Sequence, residues 1–411
     1  MRIVSRSEIE LPAFFGGDPA FSEPLAFVRP SVPDADLLIE DVRQILSSRM
    51  LTNAGYVAEL ERRAAEYLQV EHCIAVASCT AGLMLLLRAA DLTGDVIVPS
   101  FTFAATAHAV AWNGLGVVLA DVDPRTLTLS AEACERVIGV RTAAILATHT
   151  FGTVCDVEAL SSLAERAGID LFFDAAHAFG SRRGETPVGG QGRAQVFSLS
   201  PTKVLIGGEG GIIATDDAAL AARCRIGRDY ANPGDYDCRY VGLNARMSEF
   251  HAALAVRSMQ GLDERIERRN QLASSYRDAL AEIPGVTFPE VRAGDGTTFK
   301  DFTILVEPDA FGADAARLGE ALQADGIPTR RYYVPPLHDM TAYRSIARAT
   351  HPLPVTDWAA ERVLTLPLWT EMTEDQVQTV ATAVARIQRF VQLLGDRVVR
   401  VGDGATREVR A

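Results

Sequence analysis

Two residues whose types could do chemistry together stand at the ends of apolar runs. Asp174 lies in FFDAAHAFG, and Lys203 follows 29 residues later in VFSLSPTKVLIGGEGG. Each run reads as a buried strand, and each places a charge where apolar residues would continue. Burying a carboxylate and an amine at neighbouring strand ends is costly unless something makes use of both. Pyridoxal 5'-phosphate does so: its aldehyde forms a Schiff base with a lysine, and its pyridine nitrogen needs an anionic partner to stay protonated.

The flanking residues can be weighed against that chemistry. Taken alone, Asp174 reads as a strand-end or helix-capping carboxylate satisfied by backbone N–H groups; with Lys203 at this spacing it reads as the partner of the ring nitrogen. His177 either meets the cofactor's phenolic oxygen or is a satisfied core histidine, and its place beside Asp174 favours the first. A lysine at its ordinary pKa of about 10.4 is a poor nucleophile at neutral pH. Burial and nearby positive charge would lower that value, and once freed the amine could carry a proton between substrate and cofactor. Lysines mostly sit in surface loops, but the apolar and glycine residues around Lys203 argue for a buried one.

A phosphate needs backbone N–H donors at a helix start. The segment VASCTAGLMLLLRAA offers one, with the Thr80 hydroxyl beside it and Ser198 able to add another; the same segment also reads as an ordinary strand-to-helix turn. Phe103, in PSFTFAAT, could stack on the pyridine ring or serve only as core. Gly207, Gly208, Gly210 and Gly211 form neither a G-x-x-x-x-G-K-[ST] loop nor a dinucleotide fingerprint. They fit close backbone approach beside a planar group.

The elements that must position these residues alternate. CIAVAS, DVIVPS, GVVLADVD, AAILATHTFG, DLFFDAAHA, AQVFSLS and GGIIATD read as strands, with helical segments such as SAEACERVIG and VEALSSLAERAG between them. This predicts an α/β fold with a mostly parallel seven-stranded sheet covered on both faces, its ligand beyond the carboxyl ends of the strands. A further helix is expected in NAGYVAELERRAAEYLQV, with Val57, Leu60, Ala64, Tyr67 and Leu68 on one face. The pattern changes near residue 262, where LDERIERRNQLASSYRDAL predicts a long helix leading to a smaller α/β domain holding FTILVEP and ADAARLGEALQADG. The expected organisation is an N-terminal arm (1–30), a large cofactor-binding domain (31–262), a small C-terminal domain (263–395) and a frayed tail (396–411).

Bulk properties narrow the function classes. The chain has 411 residues, 48% hydrophobic and 23% charged, with a formal net charge of −13. That balance argues against a nucleic-acid-binding surface or a polybasic membrane patch. Six cysteines occur without a C-x-x-C pair, which predicts a reducing compartment and no metal site. No apolar leader and no run approaching 18 apolar residues is present, so a cytoplasmic protein is expected.

Several segments in order make the chain resemble the DegT/DnrJ/EryC1/StrS family of sugar aminotransferases. They are SCTAGL, DVIVPSFTFAATAHAV, DVDPRTLTL, THTFGTVCDV, FFDAAHAFGS, VFSLSPTKVLIGGEGG, VGLNARMSEFHAAL, GIPTRRYYVPPLH and LPVTDWAAERVLTLPL, spread over roughly residues 25–390. The resemblance implies fold type I of the pyridoxal-phosphate-dependent transferases, with Lys203 as Schiff-base lysine, Asp174 as pyridinium partner and His177 near the ring oxygen. It further implies Phe103 against the ring, and Cys79, Thr80 and Ser198 around the phosphate. Asn244 would reach the phosphate of the other subunit's cofactor in an obligate homodimer. Tyr332, Tyr333 and His338 would line the substrate side, where Arg246 or Arg331 could meet a diphosphate.

Two departures from the family pattern stand out: Cys79 where many members carry glycine, and Leu199-Ser200 where many read Phe-His. Neither removes a reactive group, and Lys203 argues against the dehydratase branch, in which histidine replaces the lysine. The implied reaction moves an amino group from glutamate or glutamine to a nucleotide-linked keto-deoxy sugar, at C4 by a slight similarity of FDAAHA, otherwise at C3. An inosose acceptor is the alternative substrate. A non-catalytic regulator of the same fold and a nicotinamide-dependent oxidoreductase are the rival classes.

Overall fold

A computed structural model describes residues 11–402, with side chains described through 392. The seven expected strands all form. They are β1 (His72–Val76), β2 (Asp95–Pro99), β3 (Gly116–Ala120), β4 (Thr142–Thr148) and β5 (Asp170–Asp174), then, after a short hairpin of β6 (Arg182–Arg183) and β7 (Thr186–Pro187), β8 (Ala194–Ser198) and β9 (Gly211–Thr215). The sheet order is β1-β9-β8-β5-β4-β2-β3-β12, with β12 (Ala347–Arg348) as an eighth, two-residue strand parallel to the β3 edge. That strand carries no apolar run, so its sequence gave no strand signal. Strand β9 runs antiparallel to both neighbours and the others run parallel.

The continuous apolar character of these strands follows from burial on both faces. Side chains alternate across a strand. In β2, Ile97 faces one hydrophobic cluster while Val96 and Val98 face the other; in β5, Leu171 and Phe173 go one way and Phe172 the other. Helices supply the covering layers, among them Gly55–Leu68, which buries Val57, Leu60, Ala64 and Leu68 at helical spacing. Tyr67 on the same helix is half-buried and stacks on Phe179 with centroids 5.4 Å apart.

Helix Leu262–Leu280 leads to a second, antiparallel sheet of β10 (Val286–Thr287), β11 (Phe302–Val306) and β13 (Val363–Leu366). A separate hydrophobic cluster packs around this second sheet, with Tyr276 stacked on Phe302 at 4.8 Å and Trp369 fully buried. The incoming arm is tied to it, since the N–H groups of Phe21 and Leu25 donate to the carbonyls of Asp325 and Gly326. The last helix spans Glu374–Gly402, so the expected frayed tail is helical as far as 402, and 403–411 lie outside the described residues, as do 1–10 of the arm. Among the described residues no helix is long and apolar enough to cross a membrane.

Parallel order brings the carboxyl ends of β1, β8, β5, β4 and β2 to one edge of the sheet. The chain leaves those ends at Ala77, Leu199, Ala175, His149 and Ser100. Chemistry-bearing residues far apart in sequence therefore meet there.

Candidate active site

A cavity of about 320 Å³ opens at that edge. Of the residues singled out from sequence, Lys203, Asp174, His177, Cys79, Thr80, Phe103, Ser198, Tyr332 and Tyr333 line it. Asn244, Arg246 and His338 do not. Asn244 is exposed, in a bridge to Asp229. Arg246 pairs with Asp229 at 2.9 Å and lies over the Tyr230 ring. Both ring nitrogens of His338 are engaged, Nδ1 at 2.8 Å from Ser100 Oγ and Nε2 at 3.0 Å from Asp357. Arg331 is held by the carbonyls of Ala360 and Glu361.

Asp174 ends β5 almost fully buried. Thr106 Oγ1 donates to its Oδ2 at 2.7 Å and the Ala176 N–H donates to Oδ1 at 3.1 Å. Behind Thr106 stand two more hydroxyls, with Thr102 Oγ1 3.0 Å from both Thr106 Oγ1 and Thr148 Oγ1. Burial raises the Asp174 pKa; the Thr106 hydroxyl, the Ala176 N–H and the Lys203 charge oppose that shift.

Lys203 follows β8 in a tight loop, where the Lys203 N–H donates to Ser200 O and the Gly207 N–H to Leu199 O. Its amine is pushed down to about 8, first by burial and next by the charge of Lys300. His177 is pushed well below its ordinary value by burial, with the charges of Lys203 and Lys300 adding to the effect. Among the described residues its buried Nδ1 has no hydrogen-bond partner.

The start of helix Cys79–Ala89 could hold an anion. Ser78 caps it, accepting from the Ala81 N–H at 3.1 Å, and the first-turn N–H groups lie next to the Thr80 and Ser198 hydroxyls in the cavity wall. Glycine is required at Gly211, where a Cβ would come within 2.8 Å of Cys79 N. Phe103 precedes helix Ala104–Trp112 and is 60% exposed, its ring free toward the cavity.

The sequence reading missed three sets of residues here. The Thr102–Thr106–Thr148 chain behind Asp174 gave no signal, because isolated threonines are common in strands and helix starts. His149 is buried, stacked on Phe173 at 4.7 Å, and accepts from the Cys155 N–H at 3.0 Å; burial pushes it down to about 4. Lys300 and Asp301, both buried, reach the cavity from the start of β11 in the second sheet. Their signal was available, since two charges stand directly before the apolar run FTILV.

Residues 34–385 match the DegT/DnrJ/EryC1/StrS aminotransferase family. The dTDP-4-amino-4,6-dideoxy-D-glucose transaminase of Escherichia coli is 30% identical over 352 residues, covering 85% of this chain and 95% of that one. A pleiotropic regulatory protein of Geobacillus stearothermophilus is 32% identical over 351 residues, covering 84% and 93%. The crystal structure of DesI, analysed in the presence of its TDP-sugar product, superposes with a TM-score of 0.88 at 37% identity, covering 94% of this chain and 98% of that one. A family match over most of the chain, together with an amine, a carboxylate and an imidazole meeting in one cavity, establishes that this chain belongs to the DegT/DnrJ/EryC1/StrS aminotransferase family.

Proposed function

We propose that this chain uses pyridoxal 5'-phosphate to move an amino group from glutamate or glutamine to the keto group of a nucleotide-linked deoxy sugar, at C4, with C3 as the second choice. The observation that carries the reading is the convergence of Lys203, Asp174 and His177 on one cavity that also holds a helix start. Supporting the acceptor class and position, the E. coli relative is named for a 4-amino sugar, and the DesI structure was analysed in the presence of its TDP-sugar product.

The residues present fit the cofactor. The lowered pKa of Lys203 makes its amine available to the aldehyde near neutral pH. Asp174 offers a fixed carboxylate to the ring nitrogen, and the unpartnered Nδ1 of His177 suits the phenolic oxygen. Cys79 and Thr80, at the start of their helix, and Ser198 would hold the phosphate, and Phe103 would cover the ring face. When bound, the cofactor supplies an electron sink for the pair left as a proton leaves Cα of the donor. Lys203 Nζ takes that proton and later returns one to the carbon of the sugar that gains the amine. Asp174, fixed by Thr106, holds the ring-nitrogen proton in place through both halves. Tyr332 and Tyr333 shape the substrate side and, with Phe103, keep bulk water from the reacting atoms.

In this reading the working unit is a cytoplasmic homodimer. Asn244, exposed and outside its own chain's cavity, reaches the phosphate held by the partner. Arg246 and His338 contact the nucleotide end only if substrate draws them from Asp229, Ser100 and Asp357.

The cofactor-loaded protein should show a borohydride-sensitive absorbance band near the visible edge, absent in Lys203→Ala. It should then convert one member of a panel of nucleotide-linked 4-keto and 3-keto sugars and an inosose, with glutamate or glutamine, to an amine identified by mass and NMR. A protein without that band would be a regulator of the same fold rather than an enzyme.

A further inference from the structure

Lys300 and Asp301 form an ion pair that the roles given so far leave unused. Both directly precede β11 and are buried, at 6% and 5% exposure, yet both line the cavity. Lys300 Nζ lies 2.6 Å from Asp301 Oδ1 and 5.9 Å from the centroid of the Tyr332 ring. Two charges taken out of water cost more than apolar side chains of similar size. Their retention at the wall of a reaction cavity calls for a charged ligand.

The pair is also incomplete. Among the described residues Asp301 Oδ2 is buried without a hydrogen-bond partner, and His177 Nδ1 lies 3.9 Å away. An ammonium has three donors, and among the described residues Lys300 Nζ meets one protein acceptor, Asp301 Oδ1. Lys203 and Lys300 are the only lysines or arginines among the described residues lining the cavity. Arg246 and Arg331 are engaged elsewhere, and burial lowers the pKa of both His149 and His177. Once Lys203 is committed to the cofactor, Lys300 is the remaining cation.

The donor's Cα must come to Lys203 Nζ, and its α-carboxylate is one bond from that carbon. Lys300 is close enough for its charge to act on Lys203. A sugar diphosphate is a poorer match for this position, because it lies several bonds from the reacting carbon and needs the open mouth of the cavity.

We propose that Lys300 binds the α-carboxylate of the amino donor, an α-amino acid, and that Asp301 holds the ammonium in the cavity until the carboxylate arrives. This rests on the aminotransferase reading above. It assigns a binding residue that serves the donor half of the reaction and not the sugar half.

The test uses the cofactor-loaded protein and 2-methyl-L-glutamate, which lacks the α-hydrogen and cannot be turned over. Calorimetry measures its affinity, and a nucleotide sugar is titrated in parallel. Lys300→Met should weaken the amino acid by about tenfold or more, the worth of a charge-assisted hydrogen bond, and leave the sugar unchanged; Lys300→Arg should restore part of the loss. Asp301→Asn frees the ammonium and should tighten the amino acid, whereas a merely structural pair would lose affinity in both variants. Unchanged amino-acid affinity in Lys300→Met, weaker binding in Asp301→Asn, or a loss confined to the sugar would each overturn the assignment. If the parent protein fails to convert glutamate or glutamine to its oxo acid, the functional reading fails first; if conversion is normal while the variants behave otherwise than expected, only the role of Lys300 fails.

Discussion

Thr106 Oγ1 donates to Asp174 Oδ2 at 2.7 Å, so the carboxylate proposed to face the cofactor ring is fixed from behind by a helix residue. Removing that donor takes away a force that lowers the Asp174 pKa, leaving burial less opposed. Thr106→Val should therefore move the acid limb of the activity profile to higher pH and lower kcat by about tenfold, in line with one hydrogen bond to a charged group. Thr106→Ser should behave close to the parent. Superimposable pH profiles for valine and threonine would remove Thr106 from this role.

Asp174→Asn tests the carboxylate itself. The amide keeps the shape and can still accept from Thr106, so the cofactor should be retained in part. Transfer should slow by on the order of 10²-fold, because charge next to the ring nitrogen is lost. Single-turnover kinetics checks this, and near-normal turnover would defeat the assignment.

The lowered pKa of Lys203 has a direct consequence for cofactor capture. The free amine is the nucleophile, so the rate at which the cofactor-free protein takes up pyridoxal phosphate should climb with pH to a midpoint close to 8. The same shift means that the fold binds fewer protons than the unfolded chain between about 8 and 10.5, so this group adds stability as pH rises through that window. A capture midpoint near 10 would show that the amine is not buried.

Sharing of sites between subunits can be read by mixing two inactive variants. Asn244→Ala should weaken cofactor retention, and a mixture with Lys203→Ala should regain activity in hybrid dimers, where one site has both intact residues. No recovery after subunit exchange would sink the shared site.

Stability away from the cavity depends on Glu249. Its buried carboxylate accepts from the N–H groups of Ala54, Tyr56 and Val57 at 2.8, 2.7 and 3.1 Å, joining the start of one helix to another. Glu249→Ala strands those donors and should cost about 3 kcal/mol or more in denaturant unfolding. A loss well under 1 kcal/mol would mean that water replaces the carboxylate.

Much of the scaffold was legible in the chain itself. The seven long strands of the main sheet announce themselves as apolar runs, because a sheet covered on both faces leaves no position for polar alternation. Lys203 and Asp174 were legible for the converse reason, as charges that interrupt such runs. The helix Leu262–Leu280 was readable from its length and spacing.

Tertiary structure alone decided the rest. Strand order is not written in any local pattern, and it is that order which puts Ser78, Asp174 and Lys203 at one edge. Thr106 has no distinguishing neighbours in sequence; its role exists only because its helix packs with the end of β5. Arg246 and His338 look available in one dimension, yet folding gives each a nearer partner in Asp229, Ser100 or Asp357. Lys300 enters the cavity from beside the second sheet, nearly a hundred residues downstream of Lys203. Local residue pattern fixes which face of an element is buried; which elements meet depends on packing among distant segments, and the chemistry of this cavity belongs to that second level.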